Sequence, residues 1–335
     1  MHIMIVTAAP PGSEFGSETT SIRWEHLLGE LGHHVEPTYT YGKSPEHFAD
    51  SSLDAMIAIG ARECDNAITA YVEADESRPL IVVLNSDDLY RGMKTAPAVV
   101  KNVERADALV VFHDRATERI PQKYRDRARV IYQSVELPEG GLSAIPEPPQ
   151  REENQASRYS FEVCVANHLE EHKDPLRTAK AARLLGSDSK IRVTHIGRVL
   201  DARWETQVRR ESETNDRYEW YGEVPWTRAL QIIRHADLMS VTPSLGGGGN
   251  IVSESIVLET PVLASAVPGN IGLLGEDYPG LFKPKDEHAL ADLLSAAENG
   301  KRFYNELKGA CRDLEPKFEA GRERDAWDDL ITTLS

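Results

Sequence analysis

Short apolar runs rich in β-branched residues alternate along the chain with longer amphipathic stretches, and this alternation constrains the fold more than any other feature. A strand buried on both faces reads as a continuous apolar run, and parallel strands need a crossover, usually a helix, between them. The pattern therefore predicts parallel sheets covered by helices. In the first half the strands are "HIMIVTAA", "DAMIAIG", "PLIVVLNS", "DALVVFH" and "ARVIYQS". After the first comes "TTSIRWEHLLGELGHHV", where Ile22, Leu27, Leu28 and Leu31 fall near helical spacing and Gly32 supplies a C-cap. Residues 137–157, "LPEGGLSAIPEPPQREENQAS", are rich in Pro, Gly and charge and lack periodicity, as a linker should. A second series follows: "FEVCVANH", "IRVTHIG", "YEWYG", "LMSVTPS" and "PVLASAV", with "DPLRTAKAARLL" and "NIVSESIVLE" as helices. From about Lys317 onward a last helix has no strand after it.

Length agrees with this division, since 335 residues exceed one ordinary core and suit two domains of about 150 residues each. No stretch approaches the roughly 20 unbroken apolar residues of a membrane span, and the N-terminus runs straight into a strand without a signal-peptide pattern. The expectation is a cytoplasmic protein. Cys64, Cys164 and Cys311 lie far apart in or near apolar runs and form no CxxC pair, so they read as reduced core thiols. The net charge of −16 argues against a nucleic-acid backbone or an anionic membrane as partner, although an acidic chain still binds phosphate locally.

The stretch with most chemistry is "SLGGGGNIVSES", Ser244 to Ser255. It follows the strand "ADLMSVTPS" and leads into a helix for which Asn250 is the expected N-cap. A strand feeding a glycine loop into a helix aims backbone N–H groups and a positive dipole end at an anion. Each charge-assisted bond contributes about 1.5–3 kcal/mol, so two or three suffice for a nucleotide diphosphate near micromolar affinity. The glycines alone also read as a flexible spacer, because neither the dinucleotide nor the P-loop spacing is present. Glu254, one turn into the helix, favours the ligand reading: a carboxylate beside a diphosphate suits sugar hydroxyls.

In these features the chain resembles the retaining family 4 glycosyltransferases, which have the GT-B fold: α/β, two facing Rossmann-like domains with parallel sheets and a cleft between them. More narrowly, "TAAPPGSEFGSETTSIRWEHLLGELGHHV", "NHLEEHKDPLRTAKAARLL", "THIGRVLD", "GGNIVSES", "PVLASAVPGNIGLLGEDYPGLF" and "RERDAWDDL" resemble the selenosugar synthase family of selenoneine biosynthesis. That resemblance covers nearly the whole chain. It implies an acceptor-side domain over 1–150, with the helix 317–335 packing back on it, and a nucleotide-sugar-binding domain over 151–316. It implies transfer of a sugar from a UDP-sugar, typically UDP-N-acetylglucosamine, to selenophosphate, with no cofactor and no metal; the alternatives are an ordinary retaining glycosyltransferase acting on a hydroxyl acceptor and a non-catalytic nucleotide-sugar-binding homologue. Gly247, Gly248, Gly249, Asn250, Ile251 and Val252 would form the diphosphate loop and helix start, with Glu254 on the ribose. Lys173 in "HKDP" would face the diphosphate, where a cation offsets charge developing on the leaving group. Arg198 offers a second cation, with a capping or surface role as its alternative. Gly12, Gly16 and Thr20, in the first strand–helix loop, would face sugar and acceptor. An ordinary βα turn is the other reading, but the loop is long for one. Arg23, Arg62 and Arg91 are candidate cations for the acceptor.

The chain departs from these patterns at three places, all on the sugar and acceptor side. Gly246 stands where the glycosyltransferase pattern has a second Glu, "LNSDDLY" where "TGTDLY" is expected, and Gly60 where a histidine is expected.

Rival constellations are weaker. "HLEEH", His168 to His172, matches a zinc-peptidase pattern that must lie inside a helix, yet it directly follows a strand. Asp87 and Asp88 are a carboxylate pair for a divalent cation, but the element order favours GT-B, in which backbone and Lys or Arg handle diphosphate charge. His113 and His195, at strand ends, read as packed or capped residues, and Trp204, Trp220 and Trp226 as packing.

Overall fold

The structure, a computed structural model, describes residues 1–13, 16–147 and 158–334. It divides into two α/β units, Met1–Glu136 with Lys317–Ser335 and Leu137–Pro316. The division falls before the 150/151 boundary read from the sequence, and side chains of the second unit, Gln231 and His235, hold the linker at Pro146. Gln231 Nε2 donates to the Pro146 and Glu147 carbonyls at 2.9 and 2.6 Å, tying the described part of the linker to the second unit. Residues 148–157 of that linker lie outside the described residues.

Each unit holds a six-stranded parallel sheet. In the first the order is β2-β1-β3-β4-β5-β6, with β1 His2–Thr7, β2 His34–Tyr39, β3 Ala55–Ile59, β4 Leu80–Val83, β5 Ala108–Val111 and β6 Ala128–Val130. Alternation sends successive side chains to opposite faces. Ile3 and Ile5 bury against Trp24, Leu27 and Leu28 of the helix Gly16–Glu30, whereas Met4 and Val6 join Phe48, Ile68 and Tyr71 on the other face. The helix Ala320–Leu334 covers the first face: Trp327 stacks edge-on to Trp24 at 4.7 Å, and both are fully buried. The five strands expected in this half are present. The sixth, β2, was missed because Pro37 and polar residues break the apolar pattern. It is an edge strand, where a missing ladder donor is tolerated.

The second sheet has the order β12-β11-β10-β7-β8-β9, with β7 Phe161–Ala166, β8 Ile191–Ile196, β9 Tyr218–Gly222, β10 Leu238–Val241, β11 Val262–Ser265 and β12 Leu281–Phe282. From β7 the chain winds outward to β9, then returns to β10 on the other side of β7 and winds outward to β12. The switch point lies between β7 and β10, and at such a point the loops beyond the strand C-termini diverge and leave a crevice for ligands. In the first sheet the switch lies between β1 and β3.

Candidate functional site

The loop after β10 and the loop after β7 flank the switch point of the second unit. Their backbones are joined: Ser244 N–H donates to the His172 carbonyl at 2.8 Å, and the Thr242 hydroxyl donates to the Asp174 carbonyl at 3.1 Å. These bonds bring Lys173, in the 3-10 turn Glu171–Lys173, beside the glycine loop. Two stretches about 70 residues apart in sequence thus share one edge of the sheet.

Within the loop Gly246, Gly247 and Gly248 all hold left-handed φ, at +74°, +76° and +71°. Successive residues with side chains would meet a penalty of about 1–2 kcal/mol each in this conformation. Close packing adds a second requirement. A Cβ on Gly247 would lie 2.6 Å from both Asn270 Oδ1 and Val267 Cγ2, and one on Gly269 would press on the Gly247 backbone and sit 2.5 Å from the Gly246 oxygen. Gly269 N–H donates to that same Gly246 oxygen at 2.7 Å. The glycine at 246, where a carboxylate-bearing residue was expected, is therefore demanded by the path of this loop.

The helix that follows spans Asn250–Val257, and its N-cap is Gly249 in an extended conformation. Asn250 is accordingly the first helical residue and not the cap: Gly249 makes the turn from left-handed backbone into the helix. The amides of Asn250 and Ile251 stand in the first turn of the helix, where backbone N–H groups have no partner within the helix itself. Val252 N–H is bonded to the Gly249 carbonyl at 3.1 Å, and the Val252 side chain is fully buried, so this residue anchors the helix start. Glu254 is half-buried one turn on.

Arg198 and Lys173 are brought together around a residue to which the sequence assigned no such place. Arg198 N–H donates to His168 Nδ1 at 3.2 Å, which leaves the proton of the neutral ring on Nε2. Burial, followed by the charges of Lys173 and Arg198, holds the His168 imidazole below its usual pKa. Both cations thus act on His168 at this strand edge. The Arg198 guanidinium is bonded through Nε to Glu223 at 2.8 Å, so part of its charge is already compensated. The only sequence signal for His168 was its place in "HLEEH". In the structure that stretch is a loop with a single 3-10 turn, and His168 Nδ1 already takes a backbone N–H, which removes the helical geometry a zinc pair needs. His195, fully buried, bonds Tyr218 Oη at 2.6 Å and Asn167 at 3.2 Å, and burial lowers its pKa to about 4. It is a core histidine.

In the first unit Gly12 and Gly16 flank the loop after β1. The buried Glu18 carboxylate folds back on that loop, accepting the Gly12 N–H and, at 3.0 Å, the Ser13 hydroxyl. Gly16 opens the helix, and the buried Thr20 hydroxyl donates to its carbonyl at 2.7 Å while accepting from Gln133 Nε2 at 2.7 Å. Gly12 and Thr20 thus serve the loop and helix themselves, and the protein's own carboxylate occupies the amide an anion would use. Arg23 is withdrawn as an acceptor cation. It is buried, and its Nε donates to Glu323 at 3.0 Å. The same Glu323 carboxylate also takes Trp24 Nε1 at 2.6 Å and Ser134 N–H at 2.7 Å. Arg62 and Arg91 are half-exposed and lie 3.8 and 3.6 Å from Asp87. Asp88 accepts N–H groups of Ala61, Arg62 and Asn85 at 2.8, 3.2 and 3.3 Å, and burial raises its pKa. Its carboxylate braces the β3 and β4 loops. Among the described residues no group of three or more His, Cys, Asp or Glu is placed to hold a metal ion, and no helix is long and apolar enough to cross a membrane.

Solved glycosyltransferases share this architecture. Anabaena HepE, in complex with UDP and glucose, superposes with a TM-score of 0.75 at 15% identity, over 99% of this chain and 100% of that one. Sucrose-phosphate synthase from Thermosynechococcus elongatus gives 0.75 at 14%, over 99% and 98%. The pneumococcal O-GlcNAc transferase GtfA, in complex with UDP and GlcNAc, gives 0.63 at 16%, over 87% of this chain and 59% of that one. No curated protein matches the chain in sequence. The family described as glycosyl transferases group 1 matches residues 147–313, which include Lys173, Arg198, the glycine loop and Glu254. The second unit of this chain thus resembles the group 1 glycosyl transferases over the matched residues, and the two-sheet α/β architecture is that of the GT-B fold.

Proposed function

We propose that the protein is a glycosyltransferase that takes its sugar from a UDP-sugar and transfers it to selenophosphate, forming a carbon–selenium bond. One observation carries the donor half: the glycine loop, with its helix start, is bonded to the Lys173 loop across the switch point of the second sheet. Backbone amides and a cation at one point suit a diphosphate, and Glu254 one turn further suits ribose hydroxyls. Solved relatives of the same fold hold UDP, UDP-glucose or UDP with GlcNAc, which supports UDP as the nucleotide and N-acetylglucosamine as one of the sugars to test.

The acceptor half rests on the resemblance of the sequence to selenosugar synthases. As C1 loses the diphosphate it becomes oxocarbenium-like. Selenium donates an electron pair to it, and the departing UDP keeps the pair of the broken C1–O bond. The protein's tasks are to place the nucleophile and to stabilise the diphosphate. Selenophosphate is an anionic nucleophile that needs little help from a base. A second reading, a UDP-sugar-binding protein without turnover, is favoured by Gly12 and Thr20, whose polar groups serve the first unit's own loop.

The test is release of UDP from UDP-N-acetylglucosamine with and without selenophosphate. Release that depends on selenophosphate is the expected result. Binding of UDP with no turnover on any donor or acceptor would overturn the transferase reading.

A further inference from the structure

The glycine loop has no side chains of its own to hold it, and its conformation is imposed from the next βα unit. Asn270 lies in the helix Pro268–Leu274 and is fully buried. Its Oδ1 accepts the Gly248 N–H at 3.0 Å, and its Nδ2 donates to the Ser265 carbonyl at 2.9 Å. The Ser265 hydroxyl in turn donates to the Pro243 carbonyl at 2.6 Å, where the loop begins. A chain of hydrogen bonds therefore runs from the end of β11 to both ends of the loop.

We propose that Asn270 is a positioning residue for the nucleotide diphosphate. By taking up the Gly248 N–H it selects one conformation of a segment that glycine leaves free to adopt many, so the ordering is complete before the ligand arrives. It also decides which amides remain for an anion: Gly248 is turned inward, and the helix start at Asn250 and Ile251 is presented. The carboxamide does both tasks at this depth, because its oxygen accepts from Gly248 and its NH2 donates to Ser265. A carboxylate there would face the Ser265 carbonyl with no proton to give and would add negative charge close to the diphosphate. The inference rests on the loop being the UDP site.

The experiment compares wild type, Asn270→Ala, Asn270→Asp and Thr178→Val by calorimetric titration with UDP and by thermal unfolding. Thr178, whose hydroxyl meets that of Ser240 at 2.9 Å in the interior of the same unit, serves as a structural control. Asn270→Ala is expected to raise the UDP dissociation constant about tenfold or more, and Asn270→Asp, nearly the same shape, at least as much. Thr178→Val lowers the unfolding temperature and leaves the dissociation constant unchanged. In turnover, KM for the UDP-sugar rises in the Asn270 variants more than kcat falls. Wild-type affinity in folded Asn270→Ala or Asn270→Asp would overturn the proposal. So would a Thr178→Val protein that loses UDP affinity in step with its stability. Absence of UDP binding by wild type would instead overturn the assignment of the site itself.

Discussion

Replacing Gly269 by alanine adds one methyl group at a tight backbone approach to the glycine loop. The new Cβ would lie 2.5 Å from the Gly246 oxygen, against about 3.4 Å for ordinary contact, and the atoms it meets are backbone. One of the two strands of chain must move by about 1 Å, and overpacking of this kind costs about 1–3 kcal/mol. The movement also breaks the 2.7 Å bond from Gly269 N–H to the Gly246 carbonyl, which contributes about 0.5–1.5 kcal/mol. The combined effect, roughly 2–4 kcal/mol, corresponds to a fall of about 5–15 °C in the unfolding transition of the second unit. Displacing Gly246 and Gly247 also distorts the loop proposed to hold the diphosphate, so UDP affinity is expected to fall about tenfold or more. Differential scanning fluorimetry with and without UDP reads both effects. Gly309→Ala provides the contrast, because nothing lies within 4 Å of its added Cβ in the helix Lys301–Leu314 and alanine is the better helix former. A Gly269→Ala protein with wild-type melting temperature and UDP affinity would refute the packing argument.

Other outcomes follow from the same geometry. Gly246→Glu, which writes the glycosyltransferase pattern into this chain, is expected to weaken UDP-sugar binding and to lower stability by about 1 kcal/mol or more, because position 246 holds a left-handed φ. Donor titrations and urea unfolding read it, and a gain in donor affinity would contradict it. Glu323→Ala leaves the buried Arg23 guanidinium and Trp24 indole without their acceptor and should destabilise the first unit by about 3–5 kcal/mol, seen as an earlier urea transition. Wild-type stability would dismiss the network as incidental. The folded-state pKa of His195, about 4, lies below its unfolded value of 6.5, so below pH 6.5 the unfolded chain binds a proton that the folded one refuses. The stability this group confers is full above pH 6.5 and is lost as pH falls towards 4, by roughly 3 kcal/mol at most. His195→Asn should flatten the pH dependence of unfolding across that window, and an unchanged slope would exclude the effect.

The elements that were legible in the sequence are those whose burial is repetitive. Runs such as "MIAI" and "LIVV" announce central parallel strands because both faces are apolar, and a glycine run between strand and helix announces a place where backbone must come close to something. β2 escaped because an edge strand tolerates Pro37 and polar neighbours. Arg23 could not be placed because its partner, Glu323, is 300 residues away and depends on a helix returning to the first unit. Thr20 looked like a loop hydroxyl facing a ligand, but one turn of helix directs it to the Gly16 carbonyl. His168 and Asn270 owe their places to contacts between loops on different strands. Spacing along one segment carries no information about such contacts.

The central claim, that the loop Gly246–Gly249 and the helix start behind it hold the diphosphate of UDP with Glu254 on the ribose, is tested most directly by calorimetric titration of UDP into wild type and Glu254→Ala. Saturable one-site binding to wild type, weakened by about 1.5–3 kcal/mol in Glu254→Ala, is the predicted result. No binding to wild type, or equal dissociation constants for the two proteins, would contradict it.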